Sequence, residues 1–195
     1  MADQVLLYIS AAGDLEAERE VLGRVATEVP IDLGWRVVQS PLGNGPVDLL
    51  AVAQADVHVL VLGSDIRAPI GLEWLVARQA TRPPTAFLKA DTLRTPGAQS
   101  FVRMVEDVQP WIPYRSTAEL QRAVLALLSD HLLDNIVRYV LRPEQVVEIG
   151  RWREALGEPA EPVDEATRGA GDSSVLLSRE RFTPMGGVLI GKKDS

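Results

Sequence analysis

Short apolar runs alternate with stretches of helical periodicity along the first 115 residues. Asp14, for example, is predicted to be the N-cap of a first helix, in which apolar residues recur at helical spacing from Leu15 to Val29. Continuous apolar runs of four to six residues are typical of strands buried on both faces. Five short segments predict strands, at residues 5–9, 35–38, 57–62, 85–88 and 111–114; the first is apolar throughout and the other four are mostly apolar. The alternation predicts an α/β fold, with a flavodoxin-like parallel sheet of about five strands in the order 2-1-3-4-5 and helices on both faces.

Beyond residue 115 the pattern becomes helical and then changes in composition. Ser116 and Glu119 form a capping-box pattern that predicts a long helix running to Leu141, and Pro143 suits the first turn of one more helix. The residues after Gly157 are rich in Pro, Gly and Glu, as in linkers. We therefore divide the chain into an α/β domain (1–115), a helical extension (116–156) and a linker with an interaction tail (157–195).

The tail and the long helix each leave alternatives open. Two apolar runs, 175–177 and 188–190, could form a hairpin that completes the sheet of this chain, or they could lack order. Alternatively, the segment 175–190 could add a strand to the sheet edge of a partner protein. The long helix from Ser116 either packs along the sheet or mediates self-association, so a homo-oligomer is one expectation.

Composition and charge remove several classes of function. The chain is 46% hydrophobic, has a net charge of −7 and contains no cysteine. An acidic chain suits neither nucleic acid nor an anionic membrane surface. Without cysteine, and with only His58 and His131, we expect no metal site, no thiol chemistry and no bound cofactor. The start of the chain has no basic signal-peptide region and no apolar run spans a membrane, so we expect a cytoplasmic protein.

A ligand site is expected where the strand order reverses, between the first and third strands. The loops at that point cover residues 10–14 and 63–71, and the helices that begin near Asp14 and Gly71 would point free N–H groups at an anion. Sequence motifs for a Walker loop or a Rossmann fingerprint are missing. The predicted ligand-binding residues are Ser10, Gly13, Asp14, Gly63, Ser64, Arg67, Gly71 and Trp74.

Two carboxylates at this crevice are the candidate catalytic residues. Glu73 lies in the first turn of the third helix, and Asp65 lies in the loop before it. Such a pair can supply a nucleophile or base together with a group that orients it. A competing interpretation is structural: the helix dipole favours glutamate in a first turn, and aspartate after serine is ordinary turn chemistry. In the same way Trp74 fits helix–sheet packing, and His58 fits a packed position in the core or at an edge of the sheet.

Two blocks of the sequence resemble a known family. The chain is similar to a bacterial TIR-like domain of unknown function in two blocks. The first is Leu7-Tyr8-Ile9-Ser10 followed by Asp14-Leu15-Glu16-Ala17-Glu18-Arg19, and the second comprises residues 55–64 and 71–74. That domain is often fused to STAND-type NTPases in defence and signalling proteins. The resemblance covers about residues 4–115. It implies a fold related to TIR domains and nucleoside deoxyribosyltransferases.

The resemblance also implies a chemistry for Glu73. Catalytic relatives cleave N-glycosidic bonds of NAD or nucleosides with a glutamate on the helix after the third strand, whereas other TIR-like domains are adaptors. Trp74 follows the glutamate here, while TIR enzymes place a tryptophan before it. The sequence therefore leaves two functions: an NAD or nucleotide N-glycosidase, in which Asp65 would orient Glu73, and a non-catalytic signalling module that binds a protein partner through its tail.

Overall fold

The fold is α/β, built on one parallel sheet. The computed structural model describes residues 4–43 and 45–157. The strands are β1 (Val5–Ala11), β2 (Trp35–Gln39), β3 (Val57–Leu62), β4 (Thr85–Lys89) and β5 (Ile112–Tyr114). All neighbouring strands pair in parallel, in the order β2-β1-β3-β4-β5. The flavodoxin-like sheet and its predicted strand order are thus confirmed, and the order reverses between β1 and β3.

Helices cover both faces of this sheet. They are α1 (Glu16–Arg24), α2 (Leu49–Gln54), α3 (Ile70–Gln79), α4 (Pro96–Glu106), α5 (Thr117–Asp134) and α6 (Pro143–Gly157). Successive side chains of a strand point to opposite faces. Leu7 and Val59 pack in the core formed with α1, α5 and α6, whereas Tyr8 and Leu60 pack in the cores formed with α2, α3 and α4. None of the described helices is long and apolar enough to cross a membrane.

Two predicted helix boundaries are wrong. Asp14 does not cap α1, because a short 3-10 turn (Gly13–Leu15) precedes the helix and the Asp14 carboxylate accepts hydrogen bonds from Ser64 instead. The long helix α5 ends at Asp134 rather than at Leu141. There the chain folds back, because Tyr139 is buried and its hydroxyl lies 2.8 Å from Nε2 of His131 on α5.

The helix α5 packs along the sheet. Its apolar residues Leu120, Val124 and Leu128 share one core with alternate residues of β1 and β3. The predicted linker, the predicted hairpin and the proposed docking segment 175–190 all lie outside the described residues.

Candidate functional site

Glu73 lies where the third helix begins against the sheet. Its backbone N–H donates to the carbonyl of Pro69, which places it in the first turn of α3, and its side chain is 0% exposed. Tyr8 and Ser10 are two positions apart on β1 and therefore share the face that α3 covers. Ser40 follows β2 directly. The fold thus brings three hydroxyl groups from two neighbouring strands to one carboxylate.

All three hydroxyl groups donate hydrogen bonds to Glu73. Tyr8 Oη lies 2.8 Å from Oε1, while Ser10 Oγ and Ser40 Oγ each lie 2.6 Å from Oε2. Bonds from hydroxyls to an ionised carboxylate are short and stronger than bonds between neutral groups. Burial, and next the charge of Glu73, raises the pKa of Tyr8, so this phenol remains a donor. We call these four residues the hydroxyl cluster.

Arg19 brings a positive charge near the hydroxyl cluster without pairing with Glu73. Its guanidinium donates to the carbonyl of Ala11 at 2.5 Å and to that of Ser40 at 2.7 Å. Burial lowers the pKa of Arg19, while the charge of Glu73 raises it. Within the part of the chain that the structure describes, no lysine or arginine lies within ion-pair distance of Glu73.

His58 borders the cluster from β3. Its Nε2 lies 2.8 Å from Ser10 Oγ, and its ring meets that of Tyr8 edge to face at 5.2 Å between centroids. Burial lowers the pKa of His58 to about 3, so the ring is neutral at physiological pH. Of the two positions expected for this histidine, core or edge, the structure shows the core, since His58 is 5% exposed and β3 is the central strand. No sequence pattern indicated that it touches the candidate site.

A cavity of about 260 Å³ adjoins the hydroxyl cluster. It is lined by three segments, 11–13, 41–43 and 67–70. Two of these segments directly follow Ser10 and Ser40, and the third ends at the start of α3. The cavity therefore lies one residue beyond the groups that hold Glu73, at the carboxyl ends of β1 and β2. The carboxylate itself does not line the cavity, and Glu73 is 0% exposed.

The structure gathers some of the predicted site residues at this cavity. Ser10 bonds to Glu73, and Gly13 and Arg67 line the cavity wall. Gly71 lies in the first turn of α3, where an added Cβ would meet only Ile66 at 3.9 Å. These four positions agree with the crevice expected at the reversal of strand order.

Asp14, Gly63 and Ser64, which were also predicted to bind a ligand, connect the loop after β1 to the loop after β3. Asp14 Oδ2 accepts from the backbone N–H of Ser64 at 2.9 Å and from its hydroxyl at 2.5 Å. A Cβ added at Gly63 would lie 2.8 Å from Leu15 Cδ2 and 2.9 Å from Asp14 Oδ2. The loops after β1 and β3 therefore approach so closely that a side chain at position 63 would displace those of Asp14 and Leu15. These residues shape the crevice but do not line its cavity.

Asp65 and Trp74 lie away from the carboxylate. Asp65 accepts a hydrogen bond from Thr95 at 2.7 Å, which lowers its pKa, and lies 3.6 Å from Arg67. The groups that orient Glu73 are therefore the three hydroxyls rather than Asp65. Trp74 is 1% exposed and packs against Phe101 at 5.8 Å between ring centroids. Its place in the core agrees with the packing interpretation.

Four residues around Glu73 were not predicted from the sequence: Tyr8, Arg19, Ser40 and His58. Ser40 carried a usable signal, because it lies at the carboxyl end of a strand, where ligands bind in parallel sheets. Tyr8 lies in the middle of β1 and carried no such signal. Arg19 lies on α1 and His58 on β3, and neither is close in sequence to the predicted loops.

Among the described residues, no group of three or more His, Asp or Glu side chains could hold a metal ion. The chain matches no protein-family model, no curated protein and no solved structure.

Proposed function

We propose that this chain is a TIR-like N-glycosidase of bacterial defence or signalling. It hydrolyses the bond between base and ribose in NAD or a related nucleotide, with Glu73 as the catalytic residue. The observation that carries the proposal is the carboxylate of Glu73. It is fully buried at the reversal of strand order, held by hydroxyls rather than by a cation, and next to a cavity. The resemblance of residues 4–115 to TIR-like domains points to the same residue.

Glu73 would act on the anomeric carbon of the ribose. When the glycosidic bond breaks, the base leaves with the bonding electron pair and the ribose develops oxocarbenium character. A carboxylate oxygen either stabilises this positive charge or forms an ester bond to the carbon. In the first case water adds directly to the anomeric carbon, and in the second case water cleaves the ester. Either way the new bond joins that carbon to the oxygen of water, the proton of water goes to the departing base or to solvent, and the carboxylate is regenerated. Donors from Tyr8, Ser10 and Ser40 hold the carboxylate in one orientation, so little reorganisation is needed.

The size of the cavity favours a small part of the substrate. A volume of about 260 Å³ lies at the lower end of ligand sites, which span roughly 300–1,000 Å³. It suits a ribosyl group with its phosphate better than a whole dinucleotide. Arg67 at the cavity wall is positioned to meet a phosphate. Because Glu73 is covered, the loops after β1 and β2 must separate before a ribose reaches it, and we expect low activity that rises with protein concentration or assembly.

The test is a product assay with matched variants. The protein is incubated at several concentrations with NAD, mononucleotides and nucleosides, and mass spectrometry follows the free base. We expect release by the wild type and a loss of about a thousandfold or more in Glu73→Gln. Glu18→Gln is the control, because Glu18 is another buried glutamate but pairs with Lys89 at 2.7 Å.

Two outcomes would contradict the proposal. Full activity in Glu73→Gln would remove Glu73 from the chemistry. Absence of base release from every substrate at every concentration would favour a module without catalytic activity. Circular dichroism of each variant ensures that a loss of activity is not a loss of fold.

A further inference from the structure

His58 stands one hydrogen bond behind Glu73, and no part of the proposed reaction uses it. Ser10 Oγ lies between them, 2.6 Å from Glu73 Oε2 and 2.8 Å from His58 Nε2. All three side chains are buried. The series of hydrogen bonds from Glu73 through Ser10 to His58 therefore links α3, β1 and β3 through a single hydroxyl group.

The number of available protons determines which group donates in each of these two hydrogen bonds. A serine hydroxyl has one proton, and an ionised carboxylate can only accept. If Ser10 donates to Glu73, then its oxygen accepts from His58, and the proton of the neutral ring lies on Nε2. The other ring nitrogen, Nδ1, is then a bare acceptor. In agreement, Nδ1 is buried and has no hydrogen-bond partner among the described residues.

The opposite arrangement satisfies fewer groups. With the ring proton on Nδ1, a buried N–H donor would be unpaired, and in folded proteins buried N–H groups without a partner are rarer than acceptors without one. Ser10 would then donate to Nε2, and Oε2 of Glu73 would keep only the bond from Ser40. The geometry of the described residues thus selects the Nε2–H form.

We infer that His58 is a positioning residue: its Nε2–H holds the Ser10 hydroxyl so that the serine proton points at Glu73 Oε2. Its role in turnover rests on the proposed function, whereas the direction of the hydrogen-bond chain does not. His58 touches no substrate and transfers no proton. It acts through Ser10, and hydrogen bonds in such a chain strengthen each other.

The first test does not depend on activity. Nitrogen-15 NMR of the histidine side chains, with His58→Gln used for assignment, reports which ring nitrogen carries the proton. We expect the Nε2–H form from pH 5 to pH 8, without titration. A proton on Nδ1, or a ring that titrates within this range, would overturn the inference.

The second test separates positioning from packing. His58→Gln keeps a side-chain N–H donor near Ser10, whereas His58→Leu fills the space without one. Thermal unfolding first establishes that both variants are folded at the temperature of the assay. In the base-release assay we expect His58→Leu to lose about tenfold in kcat with KM unchanged, and His58→Gln to recover most of that loss. Equal losses in both variants would reduce His58 to a packing residue.

A double variant tests the link between Ser10 and His58 even if the assay detects no base release. Ser10→Ala removes the same link from its other end. The stability losses of Ser10→Ala and His58→Leu should fail to add in the double variant, because both remove one shared interaction. Additive losses would contradict the link even if the proposed function fails, and non-additive losses would support it in either case.

Discussion

Two buried carboxylates at opposite ends of the same sheet are held in different ways. Glu73, at the carboxyl ends of the strands, accepts only from hydroxyls. Asp56, directly before β3, accepts from the backbone N–H of Leu6 at 2.8 Å and pairs with Arg138 at 2.7 Å and Arg82 at 3.7 Å. Both side chains are nearly inaccessible, at 0% and 3% exposure.

This difference in partners makes Asp56 a structural carboxylate and leaves Glu73 suited to a chemical role. The two guanidinium groups compensate the charge of Asp56 and join the start of β3 to the segments that carry them. A carboxylate paired in this way is already committed to its cations. Glu73 is held by neutral donors and no cation is committed to it among the described residues, so the carboxylate remains available to a positive charge that forms during a reaction.

Glu18 shows that location alone does not make this difference. It lies on α1, near the same end of the sheet as Glu73, and its side chain is 3% exposed. Nevertheless it pairs with Lys89 at 2.7 Å and lies 3.5 Å from the hydroxyl of Tyr114. Of these three buried carboxylates, Glu73 alone is held without a lysine or arginine in ion-pair distance, as far as the described residues extend.

The largest expected difference is in folding stability. Asp56→Asn removes a charge from two arginines and weakens the acceptor for Leu6, so we expect a loss of about 3 kcal/mol in the free energy of unfolding. Glu73→Gln keeps an acceptor for the hydroxyls and should lose about 1 kcal/mol. Urea denaturation of both variants measures the difference. Equal losses would erase the distinction between the two carboxylates.

The sequence was sufficient for the sheet because its signals are local. Continuous apolar runs and the glycines and prolines between them predict the five strands, and their alternation with helices predicts a parallel sheet. Glu73 and Ser10 could be placed at the crevice because the carboxyl ends of parallel strands meet at one edge.

The partners of Glu73 could not be predicted because they depend on register and packing. Tyr8 lies opposite His58 in the pairing of β1 with β3, and no local pattern fixes that pairing. Asp14 and Asp65 were assigned to a cap and to Glu73 from their neighbours in sequence. Each instead bonds to a residue at least 30 positions away, Ser64 or Thr95.

A second prediction concerns how pH changes the folding stability through His58, which borders the hydroxyl cluster. The pKa of His58 is about 3 in the folded chain and about 6.5 in an unfolded one. Below pH 6.5 the unfolded chain therefore binds the extra proton, and stability falls as the pH falls. Relative to His58→Gln, the wild type should lose about 2 kcal/mol between pH 7 and pH 5.

Urea denaturation at both pH values checks this result. Because His131 is present in both proteins, its own titration cancels in the comparison. A difference between wild type and variant that does not change with pH would mean that the pKa of His58 is the same in the folded and the unfolded chain, contrary to a buried neutral ring.

The smallest expected effect compares two tyrosine hydroxyls that face buried glutamates. Tyr8 Oη lies 2.8 Å from Glu73, whereas Tyr114 Oη lies 3.5 Å from Glu18, which already has Lys89. Burial raises the pKa of both phenols, and in each case the facing glutamate adds to the shift. Tyr8→Phe should lower the free energy of unfolding by about 1.5 kcal/mol, because the charged oxygen loses a close donor. Tyr114→Phe should lower it by about 0.5 kcal/mol or less, because a bond at that distance is weak. If thermal unfolding ranks the two variants in the opposite order, the hydroxyls do not hold Glu73 in the way that distinguishes it from Glu18.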